Sequence, residues 1–408
     1  MFARRSVLAI GVIALTVAGC SSAESTDESI ETTGAARPGS DLAAEAGSTE
    51  VEGPEPRLVV ADADSGRIDV IDLASEESVH SFDTENPSTI TTINGRYVVA
   101  TDDERAHLLD PGSWTIDHGD HTHSYVKDPV EIGELDGDEP AHVVAGDRKV
   151  AVFFDGAGEA DVVDFDSLSK GESTVTATLR SEPHHGIAVP LSDHFVVSTG
   201  GTEEDLPTGL ELRDGTGESV RALDEACPEM HGEAVFSNYF VVACDDGVLK
   251  VDATNGDFTT TKFAYPEQAE RAWSFAHGSR GSLVAAPTTA GILVLDTRSG
   301  EWVQARTADE ALSTGVSSDG KTVFSLQTDG TFRVFDAVTG GELSSTPVLT
   351  APYENSDPKP VIQVGGTRAY VSDPAANTVV EIDYRDAGRL ARTFDLDFTP
   401  ASIGVVGA

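Results

Sequence analysis

The segment HGDHTH, at positions 118–123, carries three of the 11 histidines of the chain. Neutral imidazole nitrogen is a favoured ligand of zinc, copper and nickel, and zinc takes three or four nitrogen, sulfur or oxygen ligands. His121 and His123 are two positions apart, so on an extended segment they point to the same side. His118 can approach from the preceding turn, and Asp120 can supply an oxygen or orient a ring. The spacing therefore predicts a metal site.

A repeat of short β-strands predicts the scaffold that positions these residues. Alternating apolar residues followed by Asp recur as IDVID (68–72), AHLLD (106–110), ADVVD (160–164), LELRD (210–214), VLKVD (248–252), ILVLD (292–296), FRVFD (332–336) and VVEID (379–383). Each copy follows a second β-rich segment, such as RLVVAD or YFVVACD. Period-2 alternation within a repeat of about 40–50 residues is typical of a β-propeller with four strands per blade.

The number of copies and the ends of the repeat region predict the ring. Eight copies predict an all-β fold, a β-propeller of eight four-stranded blades over residues 57–408, with seven blades and one degenerate unit as the alternative. The first unit starts at Arg57 without a first strand, and TPASIGVVGA follows the eighth copy. We expect this last strand to complete the first blade and to close the ring.

Histidine also recurs at one position of the repeat. First strands line the central channel of a propeller, and four successive ones read PAHVVAG, PHHGIAVP, EMHGEAVF and SFAHGSRG. They contain His142, His184 with His185, His231 and His277. HGDHTH lies in the connection 117–139 from the second blade to the third, so we expect it on the same face as the channel histidines. The loop and the channel are then two halves of one metal site.

The remaining histidines are interpreted as structural. His184 faces opposite to His185 if both lie on a strand, so we expect it to support its neighbour rather than to bind metal. The register of His277 is shifted relative to the others. His80, His107 and His194 sit elsewhere in their units and are interpreted as ordinary surface or strand residues.

The N-terminal residues predict export and a lipid anchor. Arg4 and Arg5 precede an apolar run that is too short to span a bilayer, and the run ends in VAGC, which resembles a bacterial lipobox. We expect residues 1–19 to be a lipoprotein signal peptide and Cys20 to be lipidated on the outer face of the cytoplasmic membrane. An ordinary signal peptide is the alternative. Residues 20–56 are polar and acidic, which predicts a flexible linker.

Charge and cysteine usage narrow the function classes. The formal net charge of −43 disfavours nucleic acid and anionic membrane surfaces as partners. Apart from Cys20 the chain has Cys227 and Cys244, which flank two apparent strands around a turn at Ser237. In an oxidising compartment this pair predicts one disulfide that braces a hairpin, with a thiolate metal pair as the alternative.

The segments HGDHTHSY, EPAHVV, EPHHGIAV, CPEMHGEAVF and FAHG together resemble the AztD family of extracytoplasmic zinc metallochaperones, over residues 57–408. The resemblance implies a β-propeller that binds zinc and passes it to the substrate-binding protein of a zinc ABC importer. It implies zinc ligands among His118, His121, His123, His142, His185 and His231. Family members can carry a second histidine-rich stretch near the mature N-terminus, whereas residues 21–56 contain no histidine.

Motifs of common enzyme classes are absent from the sequence. It contains no HExxH, no P-loop and no Gly-x-Ser-x-Gly elbow. The resemblance implies a zinc chaperone, and with these motifs absent we expect it to be monomeric and without catalysis. The alternative is an exported propeller enzyme, a lactonase or a metal-dependent hydrolase or lyase, that uses the same channel mouth. A third possibility is a scaffold for protein partners in which metal has no role.

Overall fold

The computed structural model describes residues 45–408. The predicted signal peptide, Cys20 and the linker up to residue 44 lie outside the described residues. Between residues 45 and 408, helical structure is limited to α1 (Phe165–Leu168) and a 3-10 turn (Thr254–Gly256). No helix in this range has the length and apolar character needed to cross a bilayer. The predicted all-β class is confirmed.

The strands are short and follow one another closely along the chain. The first eighteen are β1 (Thr49–Val51), β2 (Arg57–Asp62), β3 (Arg67–Asp72), β4 (Ser78–Asp83), β5 (Thr89–Ile93), β6 (Tyr97–Thr101), β7 (Arg105–Asp110), β8 (Ser113–Asp117), β9 (Thr122–Val126), β10 (Val130–Asp136), β11 (Pro140–Gly146), β12 (Lys149–Phe154), β13 (Glu159–Asp164), β14 (Val175–Arg180), β15 (Ala188–Leu191), β16 (His194–Thr199), β17 (Gly209–Arg213) and β18 (Ser219–Ala222). The others are β19 (His231–Val235), β20 (Tyr239–Cys244), β21 (Gly247–Asp252), β22 (Thr259–Phe263), β23 (Ala276–His277), β24 (Leu283–Thr288), β25 (Gly291–Asp296), β26 (Trp302–Arg306), β27 (Ala311–Val316), β28 (Thr322–Gln327), β29 (Thr331–Asp336), β30 (Glu342–Pro347), β31 (Ile362–Gly365), β32 (Arg368–Asp373), β33 (Thr378–Asp383), β34 (Arg389–Asp395) and β35 (Pro400–Val406).

In the described part of the chain these strands form eight four-stranded sheets and one three-stranded sheet. The first to eighth sheets are β35-β2-β3-β4, β5-β6-β7-β10, β11-β12-β13-β14, β15-β16-β17-β18, β19-β20-β21-β22, β23-β24-β25-β26, β27-β28-β29-β30 and β31-β32-β33-β34. The small sheet is β1-β9-β8. Each of the eight Asp-ending segments found in the sequence forms the third strand of its sheet.

The C-terminal strand belongs to the first sheet, as the sequence predicts. β35 pairs antiparallel with β2, so that Leu58 lies opposite Val405 and Val60 lies opposite Ile403. The first sheet therefore combines strands from both ends of the repeat region.

The core lies between neighbouring sheets. Side chains of a strand alternate between its two faces, so a sheet that is covered on both sides buries nearly continuous apolar runs such as RLVVAD. Buried apolar clusters join each sheet to the next one along the chain. A further cluster joins the eighth sheet to the first, through Tyr370 and Phe394 on one side and Leu58 and Val60 on the other. The arrangement is propeller-like.

HGDHTH lies on an inserted arm, which we define as residues 111–129. β7 ends at Asp110, which pairs with Val130 at the start of β10, and the β8–β9 hairpin is inserted between these two strands. The arm thus interrupts the second sheet between its third and fourth strands. This differs from the prediction that 117–139 is a connection between blades, because residues 130–136 form the fourth strand.

Part of the predicted linker is folded against the arm. Residues 49–51 form β1, which pairs antiparallel with β9, with Thr49 opposite Val126. Glu50 of β1 reaches the histidines of the arm, as described below. The described part of the segment 20–56 is therefore not a free tether.

A buried ion network holds the root of the arm. The Arg96 guanidinium is 1% exposed and lies 2.7 Å from Asp110 and 2.6 Å from Glu45. It also stacks on Trp114 at 3.7 Å. Lys127 Nζ lies 2.8 Å from the same Asp110 carboxylate. Burial raises the pKa of Asp110, but Arg96 and Lys127 outweigh this effect and lower it. One arginine thus joins the second sheet, the arm and the N-terminal segment.

The predicted disulfide between Cys227 and Cys244 is present, with an S–S distance of 2.07 Å. Cys227 precedes β19 and Cys244 ends β20, and both side chains are fully buried. The bridge therefore braces the hairpin whose first strand begins with His231.

We expect Arg96→Ala to lower the free energy of unfolding by about 3–5 kcal/mol, because it leaves a buried carboxylate without its main partner. Urea denaturation of the mature chain measures this change. The control is Arg389→Ala, which removes an exposed arginine paired with Asp386 at 2.7 Å and should have a much smaller effect. Equal effects of the two substitutions would contradict the role given to Arg96.

Candidate metal centre

Three histidines from the third, fourth and fifth sheets converge, and we call them the channel cluster. His142 lies near the start of β11, His185 just before β15, and His231 at the start of β19. Their ligand nitrogens all lie within 4.8 Å of one another. The Nε2 atoms of His142 and His185 are 3.1 Å apart, and the rings of His185 and His231 stack at 5.1 Å. Equivalent positions of successive repeats thus meet at one point.

Each imidazole of the channel cluster has an oxygen atom near Nδ1, and those of His185 and His231 form a hydrogen bond with it. His185 Nδ1 is 2.5 Å from Asp155 Oδ2, and His231 Nδ1 is 2.7 Å from the Trp273 carbonyl oxygen. His142 Nδ1 lies 3.1 Å from Glu233 Oε2. A ring that donates from Nδ1 keeps its lone pair on Nε2, which is the arrangement of metal-binding histidines backed by carboxylate or carbonyl oxygen.

This arrangement suits a cation between the rings. With hydrogen on each Nδ1, the lone pairs of His142 and His185 face each other across 3.1 Å. Two lone pairs at that separation repel unless a proton or a metal ion lies between them. Three nitrogen ligands with an open fourth position are a set that zinc accepts.

The surroundings shift the pKa values of the channel cluster in opposite directions. Burial lowers the pKa of His142, but the buried Glu233 carboxylate outweighs this effect and raises it above its usual value. Burial lowers the pKa of His231, and the neighbouring rings of His142 and His185 act in the same direction. Since a ligand must be deprotonated, the raised pKa of His142 brings a proton into competition with an incoming metal ion at that ring.

The arm carries a second group, the arm cluster, formed by His118, His121 and His123. Its ligand nitrogens also lie within 4.8 Å of one another. The ring centroids are 5.0 Å apart for His118 and His121 and 4.9 Å apart for His121 and His123. The His121 side chain is 57% exposed, so this group is open to solvent.

A tight turn and two carboxylates shape the arm cluster. Gly119 has φ +89°, a left-handed conformation that glycine adopts without cost, and its N–H donates to Asp117. His121 Nδ1 lies 2.8 Å from Asp120, and His123 Nδ1 lies 2.7 Å from Glu50. Glu50 comes from β1, so the folded N-terminal segment contributes to this cluster. These two rings also keep Nε2 available for a metal ion.

The two clusters are separate, which corrects the expectation of one shared site. Within residues 45–408, the histidines of the arm and of the channel fall into different groups of mutually close ligand atoms. β7 runs parallel to β5, the first strand of the second sheet. The arm therefore leaves the sheet at the end where the C-terminus of β5 lies. His142 and His231 lie at the opposite end of their sheets, where the first strands begin. The arm cluster is therefore separated from the channel cluster because the arm is inserted at the other end of the strands.

A cavity of about 810 Å³ lies between the first strands of the second, third, fifth and sixth sheets. Val143, Glu233 and His277 are among its lining residues, and so is Arg280. Arg280 forms an ion pair with Asp117, next to His118. The arm is thus tied to the sixth sheet at one end of this cavity, while Glu233 contacts the channel cluster at the other.

The other histidines have structural contacts. His184 is buried, contacting the Glu182 carbonyl oxygen at 2.7 Å and Ser198 Oγ at 2.8 Å, so it supports the chain beside His185 without facing the cluster. His277 packs on Phe236, and burial lowers its pKa. It belongs to neither cluster.

Several residues that contact the cluster histidines were not predicted from the sequence. Glu233 lies two positions after His231, but the strand register shifts between these two residues, so side-chain alternation does not predict its position. Asp155 and Glu50 had no local signal, since each meets its histidine through the packing of distant segments. His107 was interpreted as ordinary, but it is buried and forms a third group with Glu131 and Glu134.

The chain is similar to a known zinc chaperone. It is 27% identical to the zinc chaperone AztD of Citrobacter koseri over 353 residues, which are 80% of this chain and 81% of that protein. This confirms the predicted resemblance to AztD. No protein-family model matches the chain.

Solved structures show the same fold. The crystal structure of Citrobacter koseri AztD has a TM-score of 0.79 at 24% identity, and that of apo AztD from the same organism has 0.78 at 23%. Both alignments cover 86% of this chain and 98% of the other. The dihydro-heme d1 dehydrogenase NirN has a TM-score of 0.56 at 13% identity, covering 91% of this chain and 82% of NirN.

We expect Asp155→Asn and Glu233→Gln each to weaken metal binding at the channel cluster by roughly 10–100-fold, because each removes the carboxylate that orients a ring. Competition of Zn²⁺ against a chromophoric chelator measures the affinity. Asp193→Asn is the matched control, since Asp193 holds His194 Nδ1 at 2.6 Å outside both clusters. Equal affinity of Asp155→Asn and Asp193→Asn would show that these carboxylates do not prepare the ligands.

Proposed function

We propose that this chain is an extracytoplasmic zinc chaperone that passes zinc to the substrate-binding protein of a zinc ABC importer. The observation that carries this proposal is the channel cluster, in which ligand nitrogens of three imidazoles lie within 4.8 Å of one another and the Nδ1 atoms of His185 and His231 contact hydrogen-bond acceptors. The similarity to the zinc chaperone AztD supports zinc as the cargo. Delivery to an importer follows from what the AztD resemblance implies.

The donor set suits zinc. Imidazole nitrogen is a borderline ligand that zinc prefers over the hard cations calcium and magnesium, which take oxygen. The buried Glu233 and Asp155 carboxylates compensate part of the charge of a divalent ion at the channel cluster. In this proposal His142, His185 and His231 hold the ion that the protein keeps most tightly.

The arm cluster is the proposed exchange site. Two of its three histidines, His118 and His121, are exposed, whereas all three histidines of the channel cluster are partly buried. An acceptor protein can bring its own ligands to an exposed ion before the chaperone releases it. We therefore assign one ion to each cluster, with the arm in the role of donor.

We also propose that the eight sheets are blades of a closed eight-bladed propeller. Support comes from the apolar clusters that join consecutive sheets and from the one that joins the eighth to the first. The pairing of β35 with β2 supports the same arrangement. A ring gives successive repeats a common axis, on which the channel histidines meet.

The proposed location is the outer face of the cytoplasmic membrane, with a lipid on Cys20. The disulfide between Cys227 and Cys244 suits an oxidising compartment outside the cytoplasm. The proposed working form is a monomer. Mass spectrometry of the N-terminal peptide of the mature protein tests the lipid on Cys20.

We expect His185→Ala and His121→Ala each to remove about one equivalent of tightly bound zinc, because they disable different clusters. The double variant should lose the two equivalents that are assigned to these two clusters. Isothermal titration of the mature chain with Zn²⁺ gives the stoichiometry, with His194→Ala as the control. Wild-type protein that takes up no zinc would overturn the proposed function.

Transfer separates the roles of the two clusters. We expect His121→Ala to slow zinc transfer to the purified importer binding protein by at least about tenfold, because the acceptor loses its exposed donor site. Stopped-flow fluorescence with a zinc-sensitive acceptor follows the transfer. A rate for the wild type that equals zinc release into a chelator solution would argue against direct transfer between proteins.

A second candidate function is catalysis at the channel cluster. Three protein ligands and an open fourth position also describe catalytic zinc sites, in which bound water becomes the nucleophile. Hydrolysis of a lactone and ester panel by the zinc-loaded protein, lost in His185→Ala, would favour this candidate over the chaperone.

A further inference from the structure

We propose a third divalent-cation site, formed by His107, Glu131 and Glu134 at the root of the arm. His107 lies on β7 and both glutamates lie on β10, so the three residues join the two strands between which the arm is inserted. Their ligand atoms lie within 4.8 Å of one another. The site does not depend on the proposed zinc chaperone function.

A β-bulge brings both glutamates to one side of β10. Residues three apart on a regular strand point to opposite faces. The register between β10 and β7 shifts between Glu131 and Gly133, so one extra residue is inserted there. As a result Glu131 and Glu134 both face His107, which pairs directly with Glu134 across the two strands.

The histidine is buried and the carboxylates are accessible. The His107 side chain is 3% exposed, whereas Glu131 and Glu134 are each 40% exposed. His107 Nδ1 lies 3.2 Å from Glu131 Oε1 and 3.6 Å from Glu134 Oε1. An ion can therefore reach the carboxylates from solvent and meet an imidazole whose position is fixed by the core.

A third carboxylate lies behind the ring. His107 Nε2 has no hydrogen-bond partner in the described part of the chain, and Asp102 Oδ2 lies 4.0 Å from it. Asp102 is itself held in place by the backbone N–H groups of Glu104 and Arg105, both at 2.9 Å. Carboxylates thus face both nitrogens of a single imidazole.

The contact of His107 Nδ1 with Glu131 leaves Nε2 without a hydrogen-bond partner among the described residues. A ring with hydrogen on Nδ1 directs its Nε2 lone pair at Asp102, and a ring with hydrogen on Nε2 directs its Nδ1 lone pair at both glutamates. A single N–H at Nδ1 also makes one directed bond, and 3.6 Å to Glu134 is too long for a second. A metal ion at Nδ1 accepts all three ligands and leaves Nε2–H to point at Asp102.

The donor set indicates a first-row divalent ion. One imidazole nitrogen and two carboxylate oxygens suit Zn²⁺ or Mn²⁺, with water in the remaining positions because the site is open. Arg105 lies 3.0 Å from Glu134 Oε2, which leaves the other oxygen of that carboxylate for the ion. The site therefore differs in chemistry from both clusters of three histidines.

An ion at this site would link β7 to β10 beside the point where the arm leaves the sheet. Glu131 follows Val130, which pairs with Asp110 of the buried ion network. Occupancy then stabilises the root of the arm without a contact to the arm cluster itself. The thermal stability of the protein therefore reports on this site independently of zinc transfer.

The test uses the full mature chain with His121→Ala and His185→Ala, so that the two other clusters are disabled. We expect this double variant to bind about one equivalent of Zn²⁺ or Mn²⁺ and to show a higher melting temperature with the ion than without it. Adding Glu131→Gln or Glu134→Gln should abolish both the binding and the stabilisation. Titration calorimetry and thermal unfolding measure the two effects.

Asp136→Asn is the matched control, because it removes a charge from the same strand outside the group. It should leave the stoichiometry and the melting shift unchanged. Equal metal binding with and without Glu131 and Glu134 would overturn the proposal. Because two separate glutamate variants are used, a folding defect in one of them does not decide the outcome.

Discussion

The contact of each Nδ1 with an oxygen atom is the interaction on which the channel cluster depends. An imidazole offers Nε2 to a metal only when its hydrogen is on Nδ1. In the channel cluster, each Nδ1 faces an oxygen atom that comes from another sheet or from the loop that precedes another sheet. Asp155 of the third sheet holds His185 before the fourth, Glu233 of the fifth sheet faces His142 of the third, and the carbonyl before the sixth sheet holds His231. The ligand set therefore exists only when these sheets are packed together.

The arm cluster differs from the channel cluster, because its histidines are accessible to solvent and are still held close together. A turn at Gly119 and the carboxylates of Asp120 and Glu50 arrange the rings in solvent. The base of the arm is rigid because Arg96 and Asp110 form a buried ion pair, to which Lys127 also contributes, and breaking such a pair is strongly destabilising. One protein thus presents similar ligands in two environments, one enclosed by sheets and one exposed on a braced hairpin.

Local sequence signals were reliable where the relevant contacts are local or repeated. The Asp-ending segments identified the third strands, and the recurrence of histidine identified His142, His185 and His231 as neighbours in space. These local signals failed where a strand pairs with a strand that is distant in the chain. VEIGELD, at 130–136, is largely exposed and was assigned to a connection, although it pairs with β7 as a fourth strand. The bulge that turns Glu131 towards His107 ends at Gly133, but a glycine inside a strand does not by itself show which carboxylates face the neighbouring strand.

The sequence by itself therefore determined the all-β repeat, the repeat position of the channel histidines, the pairing of Cys227 with Cys244 and the presence of a histidine-rich arm. Only the tertiary structure decided that arm and channel form two clusters, which carboxylates hold each ring, and that His107 has acidic neighbours. The physical reason is that strand identity follows from side-chain alternation along a few residues. Grouping of ligands instead depends on strand register and on contacts between sheets, which join residues far apart in the chain.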